Sequence, residues 1–221
     1  MKQGDFLMKI IKAVLFDMDG VLIEAKDWHY EALNKALGLF GFEIERYDHL
    51  VTYDGLPTRK KLEYFSIENG LSRNLHDFIN NMKQIYTTDL VNLKCKPIFN
   101  HRYALSRLKN EGYKIVVCSN SIKKTIEIMM DKAALTEYLD FYLSNEDVVN
   151  PKPNPEIYIK AINKLKMKPT ECVILEDNQN GIEAALVSGA YLLKINDVKD
   201  VNYDNIINKI NEIEDYVKIF L

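Results

Sequence analysis

The sequence is poor in the features that mark secreted, membrane or nucleic-acid-binding proteins. Its 221 residues include three cysteines, Cys95, Cys118 and Cys172, and they stand too far apart to suggest a disulfide framework or a zinc site. The longest apolar runs, such as 13–16, are far shorter than the roughly 20 residues that span a bilayer. Residues 1–8 show no apolar signal region. These absences predict a cytoplasmic protein without a membrane partner.

The chain also lacks a large excess of charge of one sign. The 29 basic residues are nearly balanced by 32 acidic ones, which leaves a net charge of −3, and the lysines and arginines are scattered. Such a distribution exerts no long-range pull on nucleic acid, so we expect no nucleic-acid partner. A hydrophobic content of 47% is enough for the core of one large domain or two small ones.

Short apolar runs that alternate with helical patterns predict the fold class. The runs are short enough to be strands and end at polar or turn residues. They cover 12–16, 114–118, 141–143, 172–175 and 191–195, and the helical patterns cover 101–111, 121–134, 154–165, 181–188 and 203–217. Strands that alternate with helices form βαβ units, so the sequence predicts an α/β fold with a Rossmann-like parallel sheet.

One region interrupts this alternation. Between the first and second strands, apolar residues recur only at helical spacing, over 28–40, around Leu62 and Phe65, and over 75–86. Ser72 is placed to cap the last of these helices. We predict an inserted α-helical cap domain over residues 25–94, and a core domain that combines residues 1–24 with 95–221. Linkers are expected near 22–25 and 92–97.

Polar residues cluster at the carboxyl ends of the predicted strands or just beyond them, where parallel sheets bind ligands. Taken singly, each cluster has an ordinary explanation as a turn, a helix cap, an exposed lysine or a set of acids at a helix N-terminus. Together they supply acids for a metal, a carboxylate nucleophile, a hydroxyl and a lysine, which is the composition of a phosphoryl-transfer site. The clusters are Asp17-x-Asp19-Gly20, Ser119-Asn120, Lys152 in a proline-rich loop, and Glu176-Asp177.

This ordered set resembles the motifs of the haloacid dehalogenase superfamily of phosphotransferases over almost the whole chain. The helical insertion is similar to that of the subgroup containing phosphoglycolate phosphatase and β-phosphoglucomutase. The resemblance implies that Asp17 attacks phosphorus and that Asp19 serves as general acid and base. It also implies that Ser119, the Asn120 backbone and Lys152 hold the phosphate. The dehalogenases of the superfamily lack the second aspartate, so Asp19 favours phosphate chemistry.

The same resemblance implies a Mg²⁺ cofactor. Its ligands would be the Asp17 carboxylate, the main-chain carbonyl of Asp19 and Asp177, with Glu176 as a further ligand or as an acid beside the ligands. Physical chemistry agrees, because a carboxylate nucleophile and a phosphate dianion repel each other unless positive charge lies between them.

The cap is expected to supply substrate contacts. The resemblance places His29 near the nucleophile and the loop 54–59 opposite the active site, so Asp54 and Arg59 become candidate contacts. The alternative for His29 is an ordinary histidine on an amphipathic helix, and the alternative for the loop is a solvated turn with a surface arginine. Mutases of the β-phosphoglucomutase type carry arginine three residues after the glycine of this loop, whereas this chain has Thr58 there.

We therefore predict a Mg²⁺-dependent phosphatase that acts on a small phosphorylated metabolite, of the sugar- or polyol-phosphate class, through an aspartyl-phosphate. The first alternative is a phosphosugar mutase of the β-phosphoglucomutase type, and the second is a non-catalytic binding module. We expect a monomer or a small homo-oligomer.

Overall fold

The centre of the protein is a parallel β-sheet. The computed structural model describes residues 9–219, so the prediction about a signal region in residues 1–8 lies outside it. The strand order is β3-β2-β1-β4-β5, and all four neighbouring pairs are parallel. This confirms the predicted α/β fold with a Rossmann-like sheet. The strands are β1 (Ala13–Phe16), β2 (Lys114–Cys118), β3 (Phe141–Leu143), β4 (Cys172–Glu176) and β5 (Tyr191–Lys194).

Helices cover both faces of the sheet, which explains why β1 is apolar at every position. Val14 and Phe16 belong to one hydrophobic cluster and Ala13 and Leu15 to another, because successive side chains point to opposite faces. Residues of α5 (Phe99–Asn110), α6 (Lys123–Lys132) and α9 (Tyr203–Ile219) complete the first cluster, and those of α7 (Glu156–Leu165) and α8 (Gln179–Val187) complete the second. Burial of each large apolar side chain contributes roughly 1.5–3 kcal/mol.

Between β1 and α5 the chain forms helices and no strand of the sheet, as predicted, and it has its own hydrophobic cluster. That cluster includes Leu33, Leu37, Leu62, Phe65 and Ile79. The helices are α1 (Lys26–Gly38), the short α2 (Arg46–Asp48), α3 (Thr58–Asn69) and α4 (His76–Lys94), with a π-helical turn at His49–Tyr53 and a 3-10 turn at Arg73–Leu75.

The start and the buried face of α4 differ from the sequence prediction. Ser72 does not cap the helix, because the 3-10 turn intervenes and α4 begins at His76. Phe78 and Ile85, expected on the buried face, are 49% and 53% exposed. The buried residues of α4 are instead Ile79, Lys83, Thr87 and Val91, which follow one another at a spacing of four. Since α4 packs against both α1 and α6, its partners rather than its most apolar stripe decide which face is buried.

Among the described residues, no helix is both long and apolar enough to cross a membrane.

Candidate active site

The central strands bring three of the predicted site residues together. Asp17 follows β1, Ser119 follows β2, and Glu176 ends β4. Because β1 lies between β2 and β4, the strand order reverses at this point, which is where open parallel sheets form a ligand-binding crevice. All three side chains are buried, with exposed fractions of 4%, 1% and 0%.

Lys152 reaches this point from the loop that precedes α7. Its ammonium lies 2.7 Å from Asp17 Oδ1, 2.6 Å from Glu176 Oε1 and 2.8 Å from the Cys118 carbonyl. The Asn120 amide fixes its backbone: Oδ1 accepts from Lys152 N at 3.1 Å, and Nδ2 donates to the Lys152 carbonyl at 3.3 Å. Lys152 is therefore a buried cation between two carboxylates, not an exposed lysine in a turn.

Burial and charge set the ionisation of this cluster. Burial and the neighbouring Glu176 carboxylate raise the pKa of Asp17 well above its usual value, against the opposing effect of Lys152. Burial alone would lower the pKa of Lys152, but the carboxylates of Asp17 and Glu176 raise it above the usual value. The lysine therefore stays positively charged, and the nucleophile depends on positive charge nearby to remain ionised.

Glu176 is enclosed by residues that the sequence motifs did not single out. The Tyr158 hydroxyl donates a hydrogen bond to Glu176 Oε1, the oxygen that Lys152 also contacts. On the other side, a Cβ at Gly181 would lie 2.1 Å from the Glu176 carboxylate, so only glycine fits at this turn of α8. These neighbours hold Glu176 beside Lys152.

Asp19 faces the cap through a row of hydrogen bonds. Its Oδ2 accepts from the Ser121 hydroxyl at 2.9 Å, and its Oδ1 lies 3.0 Å from His29 Nε2. The other ring nitrogen of His29 lies 3.1 Å from Lys83 Nζ, so with the lysine donating to Nδ1 the imidazole donates from Nε2 to Asp19. Burial would raise the pKa of Asp19, but His29 and Ser121 together lower it.

Three carboxylates can hold a cation next to the nucleophile. One oxygen each from Asp17, Glu176 and Asp177 lies within 4.8 Å of the others, and hard oxygen ligands of this kind suit Mg²⁺. Gly20, with φ of 93°, keeps this place open, because a Cβ there would lie 2.0 Å from Asp177 Oδ2. That oxygen is paired with the ammonium of Lys26 at 2.7 Å.

Ser119 and Asn120 occupy the wall of the cavity in front of Asp17. The Ser119 hydroxyl accepts from Ser121 N at 3.0 Å, in the turn that leads to α6. Cys118, the last residue of β2, is fully buried in the core, and burial raises the pKa of its thiol, which agrees with a packing role.

The cap loop 54–59 closes the opposite side of a cavity of about 560 Å³. The core holds this loop by two side-chain amides: Asn120 Nδ2 donates to the Gly55 carbonyl at 3.0 Å, and Asn180 Nδ2 donates to the Asp54 carbonyl at 3.2 Å. The Asp54 side chain lies 3.5 Å from Lys26 Nζ. Arg59 stands at the rim with its side chain 76% exposed, 3.5 Å from Asp77.

The sequence did not single out three cationic or polar residues of the cap that line the same cavity. Lys61, Lys83 and His49 are buried, with exposed fractions of 8%, 7% and 2%. The sequence carries no clear signal for Lys83, because contacts with α1 and α6 decide that its stripe of α4 is the buried one.

Comparisons with known proteins agree with this geometry. The family described as haloacid dehalogenase-like hydrolase matches residues 14–195. A phosphorylated carbohydrates phosphatase of Thermotoga maritima is 28% identical over 183 residues, 81% of this chain and 82% of the relative. A phosphoglycolate phosphatase of Aquifex aeolicus is 27% identical over 179 residues, with coverage of 81% and 82%.

A solved structure of β-phosphoglucomutase from Clostridium difficile has the same fold. Its TM-score is 0.79 at 22% identity, covering 91% of this chain and 98% of that one. The predicted resemblance and the predicted enzyme class are thus confirmed. The chain belongs to the haloacid dehalogenase-like hydrolase family and is an enzyme of the phosphatase type.

Proposed function

We propose that the protein is a Mg²⁺-dependent phosphatase that hydrolyses a small phosphorylated metabolite, of the sugar- or polyol-phosphate class, through an aspartyl-phosphate on Asp17. The observation that carries the proposal is the buried Asp17 carboxylate, 2.7 Å from the Lys152 ammonium, at the edge of a cavity that the cap loop closes. Relatives named for phosphatase activity on phosphorylated carbohydrates and phosphoglycolate support the substrate class.

In the first step, a carboxylate oxygen of Asp17 attacks phosphorus and the bond from phosphorus to the leaving oxygen breaks. Asp19 donates the proton that the leaving oxygen takes up. The hydrogen bonds that Asp19 makes with Ser121 and His29 hold its carboxyl group in place for this transfer. The attacking carboxylate belongs to the protein, so its orientation needs no diffusing reactant.

In the second step, water attacks phosphorus of the aspartyl-phosphate. Asp19 accepts a proton from this water, the bond from Asp17 to phosphorus breaks, and inorganic phosphate leaves. The lowered pKa of Asp19 favours the ionised form that a general base requires. Throughout, Lys152 and Ser119 are placed to hold the phosphate oxygens.

The carboxylates fit a Mg²⁺ ion, which we propose is held by Asp17 and Asp177 together with the main-chain carbonyl of Asp19. When bound, the ion neutralises the negative charge shared by nucleophile and phosphate. Glu176 lies within reach of the same place, but Lys152 and Tyr158 already occupy its Oε1, so we assign it to holding Lys152.

We propose that residues 25–94 act as a lid over a core formed by 1–24 and 95–221. The hydrogen bonds from Asn120 and Asn180 to the cap loop are few enough to break and re-form as substrate enters and product leaves. Thr58 lies where mutases carry an arginine, so we propose transfer to water rather than to a second hydroxyl.

The test is the release of inorganic phosphate from a panel of phosphorylated metabolites, with and without a chelator. We expect activity that disappears on chelation and returns with Mg²⁺. Asp17→Asn should abolish turnover and the acid-stable phosphoenzyme that rapid quenching traps from the unmodified protein.

The matched control is Asp215→Asn, which changes an aspartate on α9 whose side chain is 76% exposed, and it should retain full activity. Turnover of a true substrate by Asp17→Asn, or full activity in excess chelator, contradicts the proposal.

A further inference from the structure

The cap side of the cavity contains positive charge that the proposed chemistry does not need. Lys61 on α3 and Lys83 on α4 are both buried and both line the cavity. Among residues 9–219, no carboxylate lies within ion-pair distance of either ammonium; Lys83 contacts His29, and Lys61 makes no hydrogen bond. Buried lysines are rare without a partner, so this arrangement requires an explanation.

His49, in the π-helical turn, adds a second and independent observation. Its side chain is 2% exposed and lines the same cavity, yet neither ring nitrogen has a hydrogen-bond partner in the described part of the chain. A buried polar group without a partner reduces stability. A ligand that reached either nitrogen from the cavity would satisfy it.

These three groups repel one another when they are positively charged. Burial lowers the pKa of Lys61 to about 8 and that of Lys83 to about 7, and the charge of Lys61 adds to the second effect. Burial and the same Lys61 charge lower the pKa of His49 to about 4. A bound anion would offset these penalties by raising each pKa, as the Asp54 and Asp19 carboxylates already do in part.

We propose that Lys61, together with His49 and Lys83, forms a subsite for a second anionic group of the substrate, either a carboxylate or a second phosphate. This inference rests on the proposed phosphatase function and narrows its substrate class to metabolites that carry two anionic groups. The core wall holds the phosphate that is cleaved, and the cap wall holds the other anion. The cavity, about 560 Å³, is within the usual range for a small ligand.

This proposal gives the contact with the second anion to Lys61 rather than to Arg59. Its guanidinium stands at the rim and is largely exposed to solvent, whereas the Lys61 ammonium is buried within the wall. Solvent screens a charge at the rim and weakens its hold on a ligand, but it screens a buried charge much less.

The test compares substrate pairs that share the cleaved phosphate and differ in the second group. 3-Phosphoglycerate against glycerol 3-phosphate tests a carboxylate, and glucose 1,6-bisphosphate against glucose 1-phosphate tests a second phosphate. The quantity is the ratio of kcat/KM within each pair. We expect a preference of about tenfold or more for the doubly anionic member in at least one pair.

Lys61→Met keeps an unbranched side chain of similar length and removes the charge. It should reduce that preference about tenfold. The matched control is Lys35→Met on α1, an exposed cap lysine that does not line the cavity, and it should leave the ratio unchanged. An intact fold in both variants is checked by circular dichroism.

Binding to Asp17→Asn separates this inference from the proposed function. Calorimetry with the same substrate pairs, in the presence of Mg²⁺, should show tighter binding of the doubly anionic member, and Lys61→Met in the same background should remove the difference. If the unmodified protein turned over no substrate but Asp17→Asn kept the binding preference, the result would contradict the phosphatase function and support the subsite. No preference in either pair, or a preference that Lys61→Met leaves unchanged, overturns the subsite.

Discussion

Replacing Lys152 by methionine should cost far more stability than replacing any surface lysine. The ammonium is 2% exposed and contacts two buried carboxylates, at 2.7 Å and 2.6 Å. Its removal leaves Asp17 and Glu176 buried without a cation. Breaking a buried ion pair in this way typically costs about 3–5 kcal/mol. We therefore expect Lys152→Met to lower the free energy of unfolding by about that amount in chelator at pH 8.

The loss should depend on pH in a defined direction. Without Lys152 the pKa of each carboxylate in the folded state rises further above its unfolded value, because the lysine was the group that lowered it. The folded variant then binds more protons than the unfolded chain, so its stability falls as pH rises through the window above about pH 4. Each pKa unit gained lowers the free energy of unfolding by about 1.4 kcal/mol at high pH. The loss in free energy of unfolding caused by Lys152→Met is therefore smallest near pH 4 and largest at pH 8.

Urea unfolding followed by circular dichroism measures this difference. The control is Lys114→Met, which removes a lysine paired with Asp140 at the same 2.7 Å but with side chains 51% and 24% exposed. That pair should contribute about 0–1 kcal/mol. If Lys152→Met destabilised the protein no more than Lys114→Met does, or equally at pH 4 and pH 8, the reasoning about a buried, charge-coupled cluster would be refuted.

Three further predictions concern single side chains. Lys26→Met should tighten Mg²⁺ binding about fivefold in calorimetry. It removes a partly exposed cation 2.7 Å from Asp177, and an ion pair of this kind contributes about 1 kcal/mol. Weaker binding would mean that the lysine positions this carboxylate. Tyr158→Phe should keep the fold and lower kcat about tenfold with KM little changed, since it removes one hydrogen bond to Glu176; an unchanged kcat would assign Tyr158 to packing alone. Arg59→Ala should raise KM for doubly anionic substrates less than Lys61→Met does, and the opposite order would return the anion contact to the rim.

The fold was predictable from sequence because its signals are local. Four- and five-residue apolar runs identify strands buried on both faces, and the residues that follow them are fixed at the edge of the sheet by the parallel topology alone. Asp17, Ser119, Lys152 and Glu176 were therefore expected to converge, and they do so.

The cap was harder to predict because its helices choose their buried faces through tertiary contacts. In α4 the apolar stripe that contains Phe78 and Ile85 is exposed, while Lys83 and Thr87 are buried. A periodic pattern cannot reveal a lysine that is buried in order to face a cavity, since by composition that position is polar. His49 could not be singled out for a related reason: nothing near it in the sequence distinguishes a histidine in a cavity wall from one on a surface.

The contacts between core and cap have a consequence for how this enzyme can diversify. Asn120 and Asn180 both donate to main-chain carbonyls of the cap loop, at Gly55 and Asp54. A backbone carbonyl is present whatever side chain the loop carries, so the docking geometry is independent of the residues that meet the substrate. Mutation can therefore alter recognition while closure is retained. Because Asn120 also fixes the backbone of Lys152, any loop that docks in this way meets a phosphate site that is already assembled.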